Sequence, residues 1–308
     1  MVTIGTFDGV HLGHQKIINR VNEIAKSING ESVVLTFFPH PRMVLHPDDH
    51  GLVLLNTMEE KKILMEQYGI QHLIVHPFSK KFSRTSVTEY VRDILVNKIG
   101  TKKLVIGYDH HFGRNREGTL KDLQELGSVY NYDVEEIPEQ DIHHVAISST
   151  KIRNSLLEGD VATARDFLGY DYNITGKVVE GKKLGTQLGF PTANIQVEEN
   201  YKLIPAKGIY AVHVAFERAT PLPSGERRGV GLGMLSIGTS PTFDDGELSI
   251  EVNILNFEKN IYGERITIYF KHRLRDELKF NSADELVKQM EKDREETKKI
   301  FEIKNSKF

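Results

Sequence analysis

A cluster of glycine and histidine residues near the N-terminus has the composition of an anion-binding loop. The segment GTFDGVHLGH, residues 5–14, follows a short apolar run and opens a helical pattern. Backbone N–H groups at a helix start are unpaired and carry partial positive charge, so they attract phosphate. His11 and His14 lie three residues apart and can face the same ligand there. Their imidazoles can donate to phosphate oxygens and stabilise negative charge that builds up in a transition state.

Two other interpretations of these histidines stay open. A bare His-x-x-His also suits a helix end that the side chains merely cap. A metal site is the third interpretation, for which His110-His111 and His143-His144 could supply further ligands. The position of HLGH after a strand and after Gly-x-Phe-Asp-Gly is more specific and favours phosphate, although it matches neither the P-loop nor the dinucleotide fingerprint.

We therefore predict a phosphate site in this loop with His11 and His14 as catalytic residues. Glycine lets the main chain approach a ligand closely. The predicted phosphate-binding residues of the loop are Gly5, Phe7, Gly9 and Gly13.

Hydroxyl side chains stand at a second predicted helix start. Ser148, Ser149 and Thr150 precede a helical pattern in which Arg153 lies one turn in. Hydroxyls and backbone amides can hold a polyphosphate, and arginine offers a planar fork to its oxygens. Alone, Ser-Ser-Thr would be an N-cap and nothing more. Paired with the His-x-Gly-His loop, it resembles the signature of the nucleotidyltransferase superfamily, with the hydroxyls as phosphate ligands and Arg153 as a catalytic residue.

A glycine-rich segment in the second half of the chain ends in Pro-Thr-Ala-Asn. Gly185 and Gly189 can let the main chain wrap phosphates, and Pro191 follows them. Thr192 and Asn194 offer neutral oxygens to a hard cation such as Mg²⁺. The glycines alone would favour an ordinary turn-rich loop. The order Gly-x-Pro-Thr-Ala-Asn is more specific, and it resembles a riboflavin kinase module.

Glu251 is a carboxylate within an apolar predicted strand, LSIEVNI, residues 248–254. Alternation places it opposite Ile250 and Val252, on the face that it shares with Ser249 and Asn253. A solvated strand carboxylate is the alternative interpretation.

The first half of the chain alternates short β-branched runs with helical periodicity. This alternation predicts an α/β doubly wound parallel sheet, which binds ligands at the carboxyl ends of its strands. Thr57 with Glu60 and Ser86 with Glu89 form capping boxes at two helix starts. The predicted strands are 2–4, 32–37, 72–75, 103–106 and 134–137, and the predicted helices are 11–28, 57–68, 86–99 and 119–127.

The second half changes to strand and turn and predicts an antiparallel barrel or sandwich. An amphipathic segment at 282–303 predicts a C-terminal helix packed on it. Asp160 can cap the second helix of a helical pair that ends at Gly169, and we place the boundary between two domains, 1–170 and 171–308, after this pair. The predicted strands are 174–179, 208–216, 231–238, 248–255 and 264–270.

The composition restricts the class of protein. The 308 residues are 39% hydrophobic and include 25 glycines, which predicts a globular chain with a sizeable core. Forty basic and 43 acidic residues give a net charge of −3, so no overall field favours nucleic acid or anionic lipid. The absence of cysteine excludes a disulfide scaffold and thiolate ligands. With no long apolar run, we expect a cytoplasmic protein that binds neither nucleic acid nor membrane.

Two further segments complete a resemblance to a known family. GYDHHFG, residues 107–113, follows the fourth predicted strand, and FFPHPR, residues 37–42, follows the second. With the two phosphate motifs they resemble the FMN adenylyltransferase domain of the bacterial bifunctional riboflavin kinase/FAD synthetase family. Glu251 and Arg275 match the riboflavin kinase module of the same family.

The resemblance implies a nucleotidyltransferase-like N-terminal domain, an antiparallel β-barrel riboflavin kinase domain with a C-terminal helix, and two successive reactions. In the barrel, Mg²⁺-ATP phosphorylates riboflavin to FMN and leaves as ADP, with Glu251 as the base. In the N-terminal domain a second ATP adenylylates FMN to FAD and releases pyrophosphate. The resemblance also implies nucleotide binding by Asp109, flavin binding by Phe112 and Arg275, and metal binding by Thr192 and Asn194. Two alternatives are an enzyme with one active half and a non-catalytic flavin- or nucleotide-binding regulator.

The chain departs from the family pattern at three positions. Met1 directly precedes the first predicted strand, where relatives carry additional residues. Phe38 stands where several relatives have an acidic residue, and Thr186 stands where an arginine is common. The first two departures concern the adenylyltransferase half, and the third concerns one phosphate contact of the kinase loop.

Overall fold

The computed structural model describes residues 1–48, 51–107, 112–113, 117–137, 147–181, 184–216, 230–239 and 248–305. The chain divides into two compact units, Met1–Ser149 and Thr150–Phe308. The domain boundary after residue 170 stays a prediction. Within the described ranges, no helix combines the length and the apolarity that a membrane span requires.

The first unit contains the predicted parallel sheet. Its five strands lie in the order β3-β2-β1-β4-β5, and every neighbouring pair is parallel. The order reverses at β1, so the loops after β1 and β4 lie beside the crevice where such sheets bind ligands. The strands are β1 Val2–Ile4, β2 Val33–Phe38, β3 His72–Pro77, β4 Lys103–Gly107 and β5 Asp133–Ile137.

Polar side chains at the helix starts define the helices of this unit. Thr57 Oγ1 accepts from the N–H of Glu60 at 3.1 Å, and Glu60 Oε2 accepts from the N–H of Thr57 at 2.9 Å. The capping box predicted there is confirmed, as is the one at Ser86 and Glu89. The helices are α1 Leu12–Ser27, α2 Pro41–Leu45, α3 Met58–Gln67, α4 Val87–Glu89 and α5 Leu120–Tyr130, with a 3₁₀ turn at Phe82–Arg84.

The segment predicted as one helix at 86–99 has a different form. After α4 the chain continues as a π-helix, Tyr90–Val96. Its buried face carries Tyr90 and three aliphatic residues. An apolar face of this kind suits α and π turns alike, so periodicity could not reveal the change. π-Helical turns occur frequently at functional sites.

The second unit contains a closed antiparallel barrel in the order β10-β7-β6-β11-β8-β9, which confirms the predicted barrel. The sequence analysis did not predict β7, because its apolar–polar alternation spans only four residues and directly follows the glycine-rich loop. Only pairing with β6 and β10 defines this strand. The barrel strands are β6 Asn173–Val179, β7 Ala193–Gln196, β8 Gly208–Phe216, β9 Val230–Thr239, β10 Leu248–Ile254 and β11 Arg265–Arg275.

Helices pack against the outside of the barrel, as predicted for the C-terminal segment. Asp160 Oδ1 accepts from the N–H of Thr163 at 2.9 Å, which confirms the predicted cap. The helix that it caps packs against β11, and the C-terminal helix packs against β9 and β11. The helices after β5 are α6 Ser149–Leu157, α7 Val161–Leu168, α8 Leu184–Gln187 and α9 Ala283–Asn305.

Candidate active sites

The loop between β1 and α1 has a strained backbone. Phe7 has a φ of 46°, Gly9 of 87° and Val10 of 38°, all in the left-handed region. For a residue other than glycine this conformation costs about 1–3 kcal/mol, so it persists only where the surroundings enforce it. Phe7 and Val10 are buried, which supplies that enforcement. Strain of this kind is concentrated at functional sites.

Side-chain donors hold the carbonyl groups of this loop. Ser149 Oγ donates to the carbonyl of Asp8 at 2.9 Å, and Gln15 Nε2 donates to that of Val10 at 2.8 Å. The Asp8 carboxylate accepts from the N–H of Leu55 at 2.9 Å and is 2% exposed. The sequence analysis did not assign a role to Asp8, although it lies within the Gly-x-Phe-Asp-Gly motif. The structure makes it an anchor of the loop.

The two histidines of the loop stack on each other. The ring centroids of His11 and His14 are 3.6 Å apart, and the rings are nearly parallel. His11 Nδ1 accepts from the backbone N–H of His14 at 3.4 Å, so His11 does cap α1. Because Nδ1 is the acceptor, the proton of the neutral His11 ring lies on Nε2 and can be donated to a ligand. Capping and ligand binding are therefore compatible.

Both imidazoles are neutral at pH 7. Burial lowers the pKa of His11 to about 4, although the nearby Asp8 carboxylate opposes the shift. Burial also lowers the pKa of His14 well below 6.5, and the positive charges that His11, when protonated, and Lys61 carry lower it further. His14 Nδ1 is buried and has no hydrogen-bond partner among the described residues. At neutral pH the pair can thus act on an anion as N–H donors.

The lowered pKa of His11 makes the first unit sensitive to acid. Between pH 6.5 and pH 4 the unfolded chain binds a proton at this residue and the folded chain does not, so the free energy of unfolding falls as the pH falls. We expect a loss of about 2.5 kcal/mol from this residue between pH 7 and pH 4.5. Urea denaturation at both pH values measures the loss.

The variant His11→Asn serves as the control for this prediction, since asparagine Oδ1 stands where His11 Nδ1 does, keeps an acceptor for the α1 cap and does not titrate. The difference in pH dependence between wild type and variant isolates residue 11. Parallel pH profiles for the two proteins would contradict the prediction.

The hydroxyl motif at 148–150 lies at the start of α6. Ser149 is the first residue of the helix, and its bond to Asp8 brings this helix start to the β1–α1 loop. Ser148 directly precedes it. Thr150 and Arg153 follow on α6 and belong to the second compact unit. Their binding and catalytic roles stay predictions.

The remaining predicted residues of the first unit are placed in part. Phe112 is 7% exposed and lies in the apolar core of the sheet, with its ring centroid 5.6 Å from that of Tyr90. Its flavin-binding role stays a prediction. Asp109 lies outside the described residues, as do His110-His111 and His143-His144. Among the residues that are described, no group of three or more His, Asp or Glu side chains could hold a metal ion.

In the barrel, Glu251 lies at the centre of a hydrogen-bonded group. Its Oε2 accepts from Thr192 Oγ1 and its Oε1 from Ser249 Oγ, each at 3.1 Å. In the ladder between β7 and β10, Glu251 stands opposite Asn194. Ile250 and Val252 are buried, as the predicted alternation requires. The pairing of β7 with β10 therefore brings the Pro-Thr-Ala-Asn segment and Glu251, the two parts of the predicted kinase site, together.

The loop before β7 is held close to the same strand. Asn253, which is 7% exposed, donates from Nδ2 to the carbonyl of Pro191 at 2.7 Å. The N–H of Phe190 bonds to the carbonyl of Gly185 at 2.8 Å. The sequence indicates only the strand face that Asn253 occupies. The structure shows that its side chain also holds the loop that carries Thr192.

Two glycines of this loop are required for different reasons. A Cβ on Gly185 would lie 2.3 Å from the carbonyl oxygen of Phe190, which is backbone and cannot swing away. A Cβ on Gly189 would meet open space, but the φ of +82° strains any other residue. Close packing thus explains Gly185, and backbone conformation explains Gly189.

We expect Gly185→Ala to lower the riboflavin phosphorylation that the family resemblance predicts for this loop by about 10–100-fold, because a shift of about 1 Å in the loop misplaces the groups around Glu251. Gly189→Ala strains the backbone by about 1–2 kcal/mol and lowers the rate less. Steady-state rates with riboflavin as substrate measure both effects, and adenylylation of supplied FMN is the internal control. Equal rates for the two variants would contradict this ranking.

Arg275 ends β11 and binds the C-terminal helix. Its Nε and Nη2 donate to the carboxylate of Asp293 at 2.7–3.1 Å, and its Nη1 donates to the carbonyl of Asp276 at 2.9 Å. Gln289 also donates to Asp293, at 2.8 Å. Arg275 therefore joins the barrel to α9, and its flavin-binding role stays a prediction.

Two family models match this chain, one in each half. The model described as FAD synthetase matches residues 1–151, and the model described as riboflavin kinase matches residues 168–301. The two candidate loops, around His11 and around Thr192, thus lie in segments that different family models match.

Individual relatives cover nearly the whole chain. The bifunctional riboflavin kinase/FMN adenylyltransferase of Listeria monocytogenes is 39% identical over 302 residues, which are 98% of this chain and 92% of the relative. The protein of the same name from Bacillus subtilis is 36% identical over 306 residues, again 98% and 92%. A solved structure described as a macrolide-efflux protein from Streptococcus pneumoniae superposes with a TM-score of 0.83 at 32% identity, covering 96% of this chain and 93% of that one.

Proposed function

Because the chain belongs to the bifunctional riboflavin kinase/FMN adenylyltransferase family, we propose that it converts riboflavin to FAD in two ATP-dependent steps. The first step transfers the γ-phosphoryl group of ATP to the 5′-hydroxyl of riboflavin and gives FMN and ADP. The second step transfers AMP from another ATP to the phosphate of FMN and gives FAD and pyrophosphate. The observation that carries this proposal is that a different family model matches each half of the chain, and each half contains one of the two candidate sites.

We assign the kinase step to the group around Glu251. Its carboxylate accepts the proton that leaves the riboflavin hydroxyl as the hydroxyl oxygen attacks phosphorus. The hydrogen bonds from Thr192 and Ser249 fix one carboxylate oxygen each and orient the base. Phosphoryl transfer depends on positioning and on charge stabilisation, which loop amides and one carboxylate can supply.

The same group fits Mg²⁺, which prefers a few protein oxygens together with phosphate oxygens. Thr192 offers a hydroxyl, Asn194 an amide carbonyl, and Glu251 stands next to both. We propose that Thr192 and Asn194 hold the ion. When bound, it would neutralise phosphate charge.

We assign the adenylyl transfer to the β1–α1 loop. A phosphate monoester is a nucleophile near neutral pH, so this step needs no general base. The loop amides and the neutral imidazoles of His11 and His14 donate to the triphosphate and stabilise the charge that develops on it. Ser148 adds a hydroxyl donor and Ser149 a backbone N–H, since the Ser149 hydroxyl donates to the carbonyl of Asp8. Thr150, with its hydroxyl, and Arg153, with its cationic fork, keep the binding and catalytic roles that the family resemblance implies. Asp109 is proposed to bind the nucleotide and Phe112 the flavin.

Incubation of the purified protein with riboflavin, ATP and Mg²⁺ tests the proposal, with flavins separated by reverse-phase chromatography. FMN should appear first and then FAD. A parallel reaction started from FMN tests the second step alone. FMN without FAD in both reactions would mean that one half is inactive, and absence of both products would favour a non-catalytic flavin- or nucleotide-binding protein.

A further inference from the structure

Lys61 is a buried cation that neither proposed step uses. It lies on α3 and is 2% exposed. Its Nζ donates to the carbonyl of Thr6 at 2.7 Å, and Thr36 Oγ1 reaches the same oxygen at 3.4 Å. Thr6 opens the strained loop that leads to His11. A side chain from a helix more than fifty residues away in sequence therefore holds the first peptide of the phosphate loop.

Stability alone does not account for a lysine at this position. Burial lowers the pKa of the Lys61 ammonium, and the Asp8 carboxylate only partly opposes the shift. A buried ammonium is costly even when it is paired, and an apolar side chain of similar length would avoid that cost. The residue next to it, Lys62, is exposed, which is the usual place for a lysine on a surface helix.

The contacts of Lys61 complete the set that holds the loop. Side chains from three helices donate hydrogen bonds to every second carbonyl along the loop. Lys61 donates to Thr6, Ser149 to Asp8 and Gln15 to Val10. The loop keeps left-handed backbone at two bulky residues, so it would relax without such restraints. Lys61 also lies within electrostatic reach of His14, whose pKa it lowers. Its charge thus adds to the positive potential of the site.

We propose that Lys61 is a positioning residue for adenylyl transfer, which acts through Thr6 to hold the β1–α1 loop in the geometry that binds the triphosphate of ATP. This inference rests on the function proposed above for that loop. A displaced loop loses contacts with ATP both in the bound state and in the transition state, so the KM for ATP rises and kcat falls.

The experiment compares Lys61→Met, Lys61→Gln and Lys62→Met in the full chain. We expect Lys61→Met to raise the KM for ATP in FMN adenylylation about tenfold and to lower kcat about tenfold, with the KM for FMN changed less than about twofold. Lys61→Gln keeps an N–H donor and should lie between Lys61→Met and wild type. Lys62→Met alters an exposed neighbour and should match wild type.

Partial unfolding would lower kcat but would leave both KM values unchanged, so the KM for ATP separates positioning from stability. A wild-type KM for ATP in folded Lys61→Met overturns the inference. If Lys61→Met does not fold, Lys61→Gln decides: a rise of about threefold or more supports the inference, and no rise overturns it. Failure of the wild-type chain to make FAD would overturn the proposed function and this inference together, whereas active wild type with unchanged variants overturns the inference alone.

Discussion

We expect Glu251→Gln to lower riboflavin phosphorylation by about 100–10,000-fold, the usual contribution of a general base. Glutamine has the shape of glutamate; its Oε1 can accept from one of the Thr192 and Ser249 hydroxyls and its Nε2 can donate to the other, so the barrel and the loop before β7 keep their geometry. It cannot take the proton from the riboflavin hydroxyl. Steady-state production of FMN from riboflavin measures the loss.

The control for this variant is Glu258→Gln, which alters an exposed carboxylate after β10 in the same compact unit. It should phosphorylate riboflavin at the wild-type rate. Adenylylation of supplied FMN should persist in both variants, because we assign that step to the β1–α1 loop. Loss of both activities in Glu251→Gln would contradict the assignment of the two steps to separate sites.

We expect His14→Ala to have the second large effect, a fall in FAD formation of about 100–1,000-fold, as is typical when a donor to developing negative charge is removed. The substitution removes an N–H donor at the loop that we assign to the triphosphate. His14→Gln restores such a donor and should retain more activity. Chromatography of FAD formed from supplied FMN provides the measurement.

An exposed histidine of the same unit provides the control. His72 lies at the start of β3, and His72→Ala should form FAD at the wild-type rate. Formation of FMN from riboflavin should be intact in every histidine variant. FAD synthesis near the wild-type rate in folded His14→Ala would refute the assignment of this loop to adenylyl transfer.

Local sequence patterns were sufficient to predict the fold class of both halves, the parallel sheet and the antiparallel barrel. Capping boxes and β-branched runs predicted the helices and strands of the parallel sheet, because those signals act within a few residues. Alternation placed Glu251 on the correct face of β10. β7 escaped prediction because its register depends on β6 and β10, which lie elsewhere in the chain.

The supporting residues of the first site could not be predicted. Lys61 and Lys62 are adjacent and identical in type within the charged run Glu-Glu-Lys-Lys, residues 59–62. Lys61 is buried and donates to the carbonyl of Thr6, whereas Lys62 is exposed, and only the packing of α3 distinguishes them. The hydrogen bond from Ser149 to Asp8 likewise joins residues near the two ends of the first unit in sequence. Contacts across such sequence separations follow from the fold and leave no trace in local patterns.

The geometry of the candidate kinase site depends on closure of the barrel, because the short strand β7 lies between β6 and β10. Asn194 is in register with Val179 on one side and with Glu251 on the other. The backbone hydrogen bonds between β7 and β10 that help to close the barrel also hold Glu251, the proposed base, beside the Pro-Thr-Ala-Asn segment. A barrel in which β7 is unpaired holds Thr192 and Glu251 on strands that are not aligned with each other, so we expect kinase activity to require the closed barrel.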